Sequence, residues 1–343
     1  MKIDRFVTLL AGLTLSLAAT AETATQKYFG YFAGDTVNTV TSPPSDIGFN
    51  EMKGHSNLYA IMAWPGDTSP SGRAVTQSQV LEKLAAAKAA HVHAIVPAYP
   101  FVFQAVRASN GDISCWNNDP GAAASWASLS QAMVDQGYLI PGDPVHSTVI
   151  AVYIVDEPNG PSTCLNDVNG QANPSFINGM NAVRQDAHTA SLPIASILAG
   201  KGFDRFFAGM KMLDWVGFDE YGDDDGKWAR TFAALKQYAP GKKYIVVPGA
   251  MQSCDLVDLD PTQRFFTAIE NDPDVTWLAP FAWFSGLGGN ASCKGVRDIP
   301  ATRAAYTAEG LKIRSLQCNS SPGDTAFCSG AANVTSAVNL LLN

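Results

Sequence analysis

The sequence is poor in charged residues, and especially in basic ones. Only 16% of its 343 residues are charged, and 23 lysines and arginines stand against 31 aspartates and glutamates, for a formal net charge of −8. Such a chain lacks the basic surface with which proteins bind nucleic acids or anionic membranes. We therefore expect neither nucleic acid nor a membrane among its partners.

Several sequence motifs are also absent. No Gly-x-Gly-x-x-Gly turn follows the first predicted strand, which disfavours a dinucleotide-binding doubly wound sheet. No Gly-x-Ser-x-Gly elbow is present, which argues against a serine esterase. The six cysteines include no Cys-x-x-Cys pair, so their even number predicts disulfides in an exported protein rather than a metal site. No cofactor is predicted.

Residues 1–21 have the features of a secretory signal peptide. Lys2 and Arg5 give a basic start, residues 6–19 are mainly apolar, and Ala19-Thr-Ala21 is a small-residue cleavage pattern. The apolar core is short for a membrane anchor, and no later segment is long and apolar enough to span a bilayer. We expect a secreted or periplasmic protein, acting as a monomer, and removal of the signal takes the net charge from −8 to −9.

Eight short apolar segments alternate with segments of helical character along the rest of the chain. The predicted strands span 28–33, 58–64, 93–99, 148–156, 193–198, 215–221, 243–248 and 276–284. Eight such units predict an α/β fold, a single (β/α)₈ barrel over residues 27–316. A doubly wound sheet is the competing fold. Residues 317–343 are predicted to form a short tail closed by a disulfide.

Two helix starts are predicted from capping signals. Thr76 and Gln79 have the spacing of a capping box for a helix over 76–90. Asp260 is predicted to cap a helix that has Pro261 at its first position. The other predicted helices span 123–136, 173–190, 205–212, 227–238 and 300 to about 316.

The predicted barrel narrows the possible disulfides. Two cysteines lie in the loops after the third and fourth predicted strands, which are neighbours, and two lie in the loops after the seventh and eighth. The last two are ten residues apart in the tail. We therefore predict three disulfides: Cys115–Cys164, Cys254–Cys293 and Cys318–Cys328.

The most informative stretch runs from Ala151 to Asn159 (AVYIVDEPN). Its apolar run is typical of a parallel strand buried on both faces. Pro158 ends the strand because proline cannot donate a ladder hydrogen bond. Asp156 and Glu157 therefore lie at the carboxyl end of a central strand, where (β/α)₈ barrels place their active sites.

Other predicted strands end in carboxylates and aromatic residues as well. At the same face we expect Asp35, Trp64, Tyr99, Phe101, Asp219, Glu220, Tyr221, Gln252, Asp255 and Trp283. His91 and His93 precede the third strand, so they belong to the opposite face and do not form a metal site here. Carboxylates perform acid/base chemistry on sugars, and aromatic rings stack on their apolar faces. The composition predicts a cleft for a carbohydrate substrate.

Two strand ends resemble those of clan A glycoside hydrolases. Asp156-Glu157-Pro158 is similar to the clan's Asn-Glu-Pro, whose Glu is the general acid/base. The segment from Trp215 to Tyr221 (WVGFDEY) is similar to the sixth strand, which ends in a tyrosine beside the active site, and Trp283 to the aromatic residue that floors the sugar subsite.

The resemblance implies a secreted glycoside hydrolase that cleaves O-glycosidic bonds of a polysaccharide or oligosaccharide. Glu157 would be its acid, and its pKa is expected to be raised by burial and by Asp156. The implied substrate-binding residues are Asp35, Trp64, Tyr99, Asp156, Tyr221, Gln252 and Trp283.

The seventh predicted strand departs from the clan, whose nucleophile is a Glu at that strand end. Here no carboxylate follows the strand before Asp255. Three explanations stay open. The second catalytic carboxylate is Asp219 or Glu220; or Asp35 or Asp255 activates a water, with inversion; or the chain binds carbohydrate without cleaving it. Side-chain alternation places Asp219 on the side of Tyr221 and Glu220 on the other.

Three consecutive acidic residues, Asp223-Asp-Asp225, follow the sixth predicted strand. Their oxygen atoms are of the kind that calcium prefers. The ligand spacing of a known calcium loop is missing, so a solvated loop is the favoured interpretation.

Overall fold

The computed structural model describes residues 26–34, 47–63, 67–109, 113–161, 163–254, 259–287 and 290–320. The predicted signal peptide, Asp35, Trp64, Asp255 and Cys328 lie outside these ranges. The strands are β1 (Tyr28–Phe29), β2 (Leu58–Ala60), β3 (His93–Pro97), β4 (Phe103–Arg107), β5 (Ile113–Asn118), β6 (Val149–Tyr153), β7 (Ile194–Ala199), β8 (Trp215–Asp219), β9 (Lys243–Val247) and β10 (Val275–Leu278).

Helices follow most of these strands. They are α1 (Ile47–Met52), α2 (Pro70–Ala89), α3 (Tyr99–Val102), α4 (Ala122–Asp135), α5 (Pro174–Arg184), α6 (Phe207–Met210), α7 (Asp225–Tyr238), α8 (Thr262–Asn271) and α9 (Pro300–Ser320), with 3₁₀ turns at Phe203–Phe206 and Val296–Asp298. Helix α9 therefore continues past its predicted end near residue 316.

The predicted barrel is confirmed. Eight parallel strands form one sheet in the order β1-β10-β9-β8-β7-β6-β3-β2. Strands β2, β3, β6 and β10 are buried along their whole length, as expected for parallel strands covered on both faces. The carboxyl ends of all eight strands consequently open on one face of the molecule.

Asn57 joins the two ends of this sheet through its backbone and its side chain. Its backbone N–H donates to the carbonyl oxygen of Phe29 at 3.1 Å, and its Oδ1 accepts from the N–H of Phe29 at 2.6 Å. Its Nδ2 donates to the carbonyl oxygen of Lys27 at 3.0 Å. Gly30 permits the close approach, since a Cβ there would lie 2.0 Å from the carbonyl oxygen of Leu58. The barrel is nearly closed as a result.

The predicted capping box at Thr76 and Gln79 is wrong. Helix α2 begins at Pro70, and the Oγ of Ser69 accepts the N–H of Gly72 at 3.1 Å as its N-cap. Serine followed by proline at the first helical position is a strong start signal. Thr76 and Gln79 are buried inside the helix instead.

The predicted cap at Asp260 is also wrong. Pro261 occupies the N-cap position of α8 without a side-chain bond. The Asp260 carboxylate instead accepts from the N–H groups of Gly222 at 3.1 Å and Gly249 at 2.7 Å, and it pairs with Arg264 at 2.8 Å. Buried loop N–H groups need acceptors, so Asp260 ties the loops after β8 and β9 together.

A hairpin of β4 and β5 follows α3, and the sequence analysis did not predict it. The two strands pair in antiparallel register from Phe103 with Asn118 onwards. Arg73 of α2 holds its base, because Nε donates to the carbonyl oxygen of Pro100 at 2.8 Å and a terminal nitrogen pairs with Asp119. The hairpin therefore stands on the barrel rim beside the loop after β6.

Within the described ranges, no helix combines the length and apolar character that crossing a bilayer requires.

Candidate active site

The backbone at the end of β6 places two carboxylates at the barrel face. After Tyr153 the chain remains buried for two residues and then exposes part of Asp156 and Glu157. The N–H of Glu157 donates to the carbonyl oxygen of Ile197 at 2.8 Å, and its φ is +42°. The left-handed region costs a residue with a side chain roughly 1–2 kcal/mol. Strained backbone of this kind clusters at functional sites.

Asp156 is held by a tyrosine from inside the barrel. The phenol of Tyr153 donates to its Oδ1 at 2.7 Å. The pKa of Asp156 is raised to about 7, mainly by burial and also by the charge of the Glu157 carboxyl, while the bond from Tyr153 acts in the opposite direction. Burial also raises the pKa of Tyr153 well above its usual value, so the phenol stays a donor. Asp156 therefore titrates near neutral pH.

Asp219, at the end of β8, meets the β6 carboxylates across the barrel face. Its carboxyl lies within hydrogen-bonding reach of Glu157, and the phenol of Tyr221 donates to its Oδ2 at 3.2 Å. Burial raises the pKa of Asp219 well above the usual range, followed by the charges of Glu157 and Asp156. We call Asp156, Glu157 and Asp219 the carboxyl cluster. Two of its members, Asp156 and Asp219, retain their protons to higher pH than free carboxyls do.

The other Asp219 oxygen supports a protonated carboxyl. Oδ1 is buried, and no other donor reaches it from the described residues. A buried oxygen without a donor costs less on a protonated carboxyl than on a carboxylate. The geometry and the raised pKa thus agree.

Glu220 lies outside the carboxyl cluster. Its Oε1 pairs with Lys201 at 2.9 Å and with Lys227 at 3.5 Å. Its Cβ occupies the space that a side chain at Gly200 would need. Asp219 and Tyr221 point to one side and Glu220 to the other, as alternation along the strand requires.

Two aromatic rings flank the carboxyl cluster. Tyr221 stacks on Phe281 with ring centres 5.8 Å apart and planes 15° apart, and both residues are partly exposed. Phe281 follows β10 by three residues. An aromatic surface beside carboxylates suits the apolar face of a sugar ring.

The predicted sugar platforms Trp283 and Tyr99 lie elsewhere. Trp283 is fully buried, donates from Nε1 to Oε2 of Glu51 at 2.7 Å, and packs on Tyr31. Tyr99 starts α3 and is 1% exposed, and its hydroxyl accepts the N–H of Ala63 at 2.7 Å. The expectation that these two rings bind a sugar face is corrected, because neither presents a face to solvent.

The remaining predicted site residues are distributed differently. Phe101 is buried in α3. Gln252 is exposed after β9, where its backbone pairs with Lys294. Asp35, Trp64 and Asp255 lie outside the described residues, so their predicted roles stay predictions.

The acidic run after β8 starts a helix. The Oδ1 of Asp224 accepts the N–H of Lys227 at 2.7 Å as the N-cap of α7. Asp223 pairs with Lys227, and Asp225 pairs with Arg264 at 3.1 Å. Among the residues that the structure describes, no group of three or more His, Cys, Asp or Glu side chains could hold a metal ion. The run is thus occupied by a cap and two ion pairs.

Two of the three predicted disulfides are confirmed. Cys115–Cys164 links the hairpin to the loop after β6, and Cys254–Cys293 links the loops after β9 and β10. Both therefore tie together neighbouring loops of the barrel face that carries the carboxyl cluster. Cys318 belongs to α9, but its side chain is not among those described, so its pairing stays a prediction.

Comparisons with solved structures give similar folds in glycoside hydrolases. An endo-β-1,4-mannanase of Cellulomonas fimi is 14% identical, with 82% of this chain and 70% of that chain covered and a TM-score of 0.49. A GH10 protein of Paenibacillus barcinonensis is 12% identical over 77% and 88%, with a TM-score of 0.47. β-Glucuronidase 2 of Bacteroides uniformis is 14% identical over 76% of this chain, with a TM-score of 0.43.

This chain spans only 31% of that glucuronidase chain. No protein-family model matches the chain, and no curated protein matches its sequence. At these identities and TM-scores the likenesses support no conclusion about the activity of this chain or the roles of its residues.

Sequence reasoning missed three residues of this site. The sequence pattern identifies Tyr153 only as a strand residue, and its position three residues before Asp156 is the one signal for their hydrogen bond. Phe281 belongs to the same aromatic run as Trp283 and lies closer to the strand end. Asn159 directly follows the Asp-Glu-Pro motif, and its three hydrogen bonds to the end of β7 have no signal in the sequence.

Proposed function

We propose that this protein is an exported glycoside hydrolase that cleaves O-glycosidic bonds of a polysaccharide or oligosaccharide. The observation that carries the proposal is the carboxyl cluster, in which the carboxyls of Glu157 and Asp219 lie within hydrogen-bonding reach of each other at the ends of two barrel strands. Glycosidic bonds are cleaved by carboxyl groups of which one must be protonated near neutral pH. The cluster holds such protons.

In this proposal Glu157 protonates the leaving oxygen. It is partly exposed, and the aromatic pair of Tyr221 and Phe281, which adjoins Asp219, would contact the sugar ring. Asp219 lies within hydrogen-bonding reach of Glu157, and its raised pKa keeps a protonated carboxyl beside that residue. The charge of Asp156, which Tyr153 holds in place, also raises the pKa of Asp219.

The closeness of Glu157 and Asp219 bears on whether Asp219 can be the group that attacks the sugar. A hydrogen-bonded pair of oxygen atoms is roughly 2.5–3 Å apart, whereas a retaining pair of carboxyls is about 5–5.5 Å apart and an inverting pair about 6.5–9.5 Å. A sugar does not fit between groups in contact. Asp219 is therefore proposed to hold a proton and not to attack the sugar. The predicted water-activating roles of Asp35 and Asp255 stay open.

The test is a reducing-end assay of the purified mature protein on a panel of polysaccharides. Glu157→Gln keeps the size of the side chain and removes the acid, so turnover is expected to fall by about 10²–10⁴-fold. Glu220→Gln is the matched control, because Glu220 lies next to the cluster but is paired with lysines. Its turnover is expected to stay within about threefold of wild type.

Full activity of Glu157→Gln would refute the assigned acid. A wild-type protein that releases no reducing ends but melts at a higher temperature with sugar would refute hydrolysis and favour a non-catalytic carbohydrate-binding barrel.

A further inference from the structure

Asn159, two residues after Glu157, is polar but buried. Only 1% of the residue is exposed. Its Nδ2 donates to the carbonyl oxygens of Ala199 and Lys201, both at 2.9 Å, and its Oδ1 accepts the N–H of Ala199 at 2.8 Å. Both amide hydrogens are used, so the side chain is held in one orientation against the end of β7.

The backbone that Asn159 binds also holds Asp219. Ala199 is the register partner of Asp219 between β7 and β8, and the N–H of Gly200 donates to the carbonyl oxygen of Asp219 at 3.0 Å. Gly200 leaves no room for a side chain, since a Cβ would lie 2.5 Å from the Cβ of Glu220. A short and tightly packed path therefore connects Asn159 to Asp219.

Glu157 needs such a brace because its backbone is in the left-handed region. Its N–H donates to the carbonyl oxygen of Ile197 at 2.8 Å, and its carbonyl oxygen accepts the N–H of Gly160 at 2.7 Å. These bonds flank Asn159 in sequence. Without the amide of Asn159, the loop is free to relax toward negative φ, and the Glu157 carboxyl moves relative to Asp219.

We infer that Asn159 is a positioning residue that holds the carboxyl groups of Glu157 and Asp219 in contact. The part of this inference that concerns catalysis rests on the proposed function. The part that concerns position is testable without substrate.

Kinetics test the catalytic part. A misplacement of about 1 Å costs on the order of 10²-fold in rate, so Asn159→Ala is expected to lower kcat by about that factor with KM within about threefold. The matched control is Asn166→Ala in the same loop, where Nδ2 donates to the carbonyl oxygen of Gly160 at 3.1 Å. Its kcat is expected to change less than about threefold. Equal losses in both variants, or a loss confined to KM, overturn the inference.

A double-mutant cycle on melting temperature at pH 8 tests the position. Glu157→Gln alone is expected to raise the melting temperature, because the Glu157 carboxylate raises the pKa of Asp219 and so makes the folded state retain a proton that the unfolded chain has released at pH 8. In the Asn159→Ala background this gain is expected to fall by about half or more, because the two carboxyls separate. The same cycle with Asn166→Ala is expected to be additive.

The outcomes separate this inference from the proposed function. Additivity in both cycles overturns the positioning role whether or not the protein is active. Coupling with Asn159 in a protein that hydrolyses nothing supports the positioning role and overturns the proposed function alone. If Asn159→Ala does not fold, Asn159→Asp replaces it, since it keeps the size and the acceptor and removes both donors.

Discussion

At the scale of single residues, protonation is the central feature of this molecule. Asp156 and Asp219 are carboxyls whose pKa values are raised, mainly by burial and also by the charge of Glu157. Tyr153 and Tyr221 donate to them and keep them oriented. Such a cluster lowers the stability of the fold near neutral pH, a cost that functional sites commonly carry.

Asp156→Asn makes this cost measurable. In the unfolded chain Asp156 ionises near its ordinary pKa of 3.8, and in the folded protein it ionises at about 7. Between these values the unfolded state has released the proton and the folded state retains it, so the free energy of unfolding falls as pH rises. Asp156→Asn is expected to match wild type near pH 4 and to be more stable by about 4 kcal/mol at pH 8.

The measurement is urea unfolding of both proteins from pH 4 to pH 8. Asp204→Asn, which changes an exposed carboxylate, serves as the control. A difference between Asp156→Asn and wild type that does not vary with pH contradicts the raised pKa.

At the scale of secondary-structure elements, the strand ends are joined by side chains that the local sequence assigns to other tasks. Asp260 was predicted to cap α8, but its carboxylate accepts the N–H groups of Gly222 and Gly249 and pairs with Arg264. An Asp-Pro sequence is a valid local cap signal. The N–H groups of two loops bind the carboxylate that the local sequence assigns to the helix. These two loops meet at Asp260 only in the folded protein.

Asp260→Ala is expected to destabilise the protein by about 3–5 kcal/mol, because it leaves two loop N–H groups without their acceptor and removes one of the two carboxylates that pair with the buried Arg264. Asp274→Ala is the control, since Asp274 forms an exposed ion pair with Lys243, and it is expected to cost less than about 1 kcal/mol. Chemical denaturation of the three proteins gives the comparison. Equal losses would show that Asp260 is a surface cap after all.

At the scale of the whole molecule, covalent links strengthen the face that carries the carboxyl cluster. The two disulfides join residues 49 and 39 positions apart. Crosslinks of this span contribute about 2–4 kcal/mol each, chiefly by restricting the unfolded chain. The carboxyl cluster itself is held by hydrogen bonds, so the disulfides act on the loops around it.

Replacement of Cys115 and Cys164 by serine is expected to lower the free energy of unfolding by about 2–4 kcal/mol. Wild type in reductant is expected to be less stable than the untreated variant, because the Cys254–Cys293 bridge then also opens. Guanidinium unfolding with and without reductant, with thiol counting by mass spectrometry, checks both statements. A fully reduced wild type that remains as stable as the oxidised one would contradict this account.

The sequence by itself determined the barrel, two of its disulfides and the strand ends that carry Asp156, Glu157 and Asp219. Each of these follows from local patterns, namely apolar runs, turn residues and the alternation of side chains along a strand. Export and the pairing of Cys318 with Cys328 remain predictions from the same patterns.

Only the tertiary structure decided which side chains share the site. Trp283 and Tyr99 are buried by segments far away in the chain, while Phe281 remains partly exposed beside Tyr221. Burial and charge from three strand ends set the protonation of Asp219, and Asn159 reaches across to β7. These properties are sums over neighbours that are distant in sequence, so no local pattern encodes them.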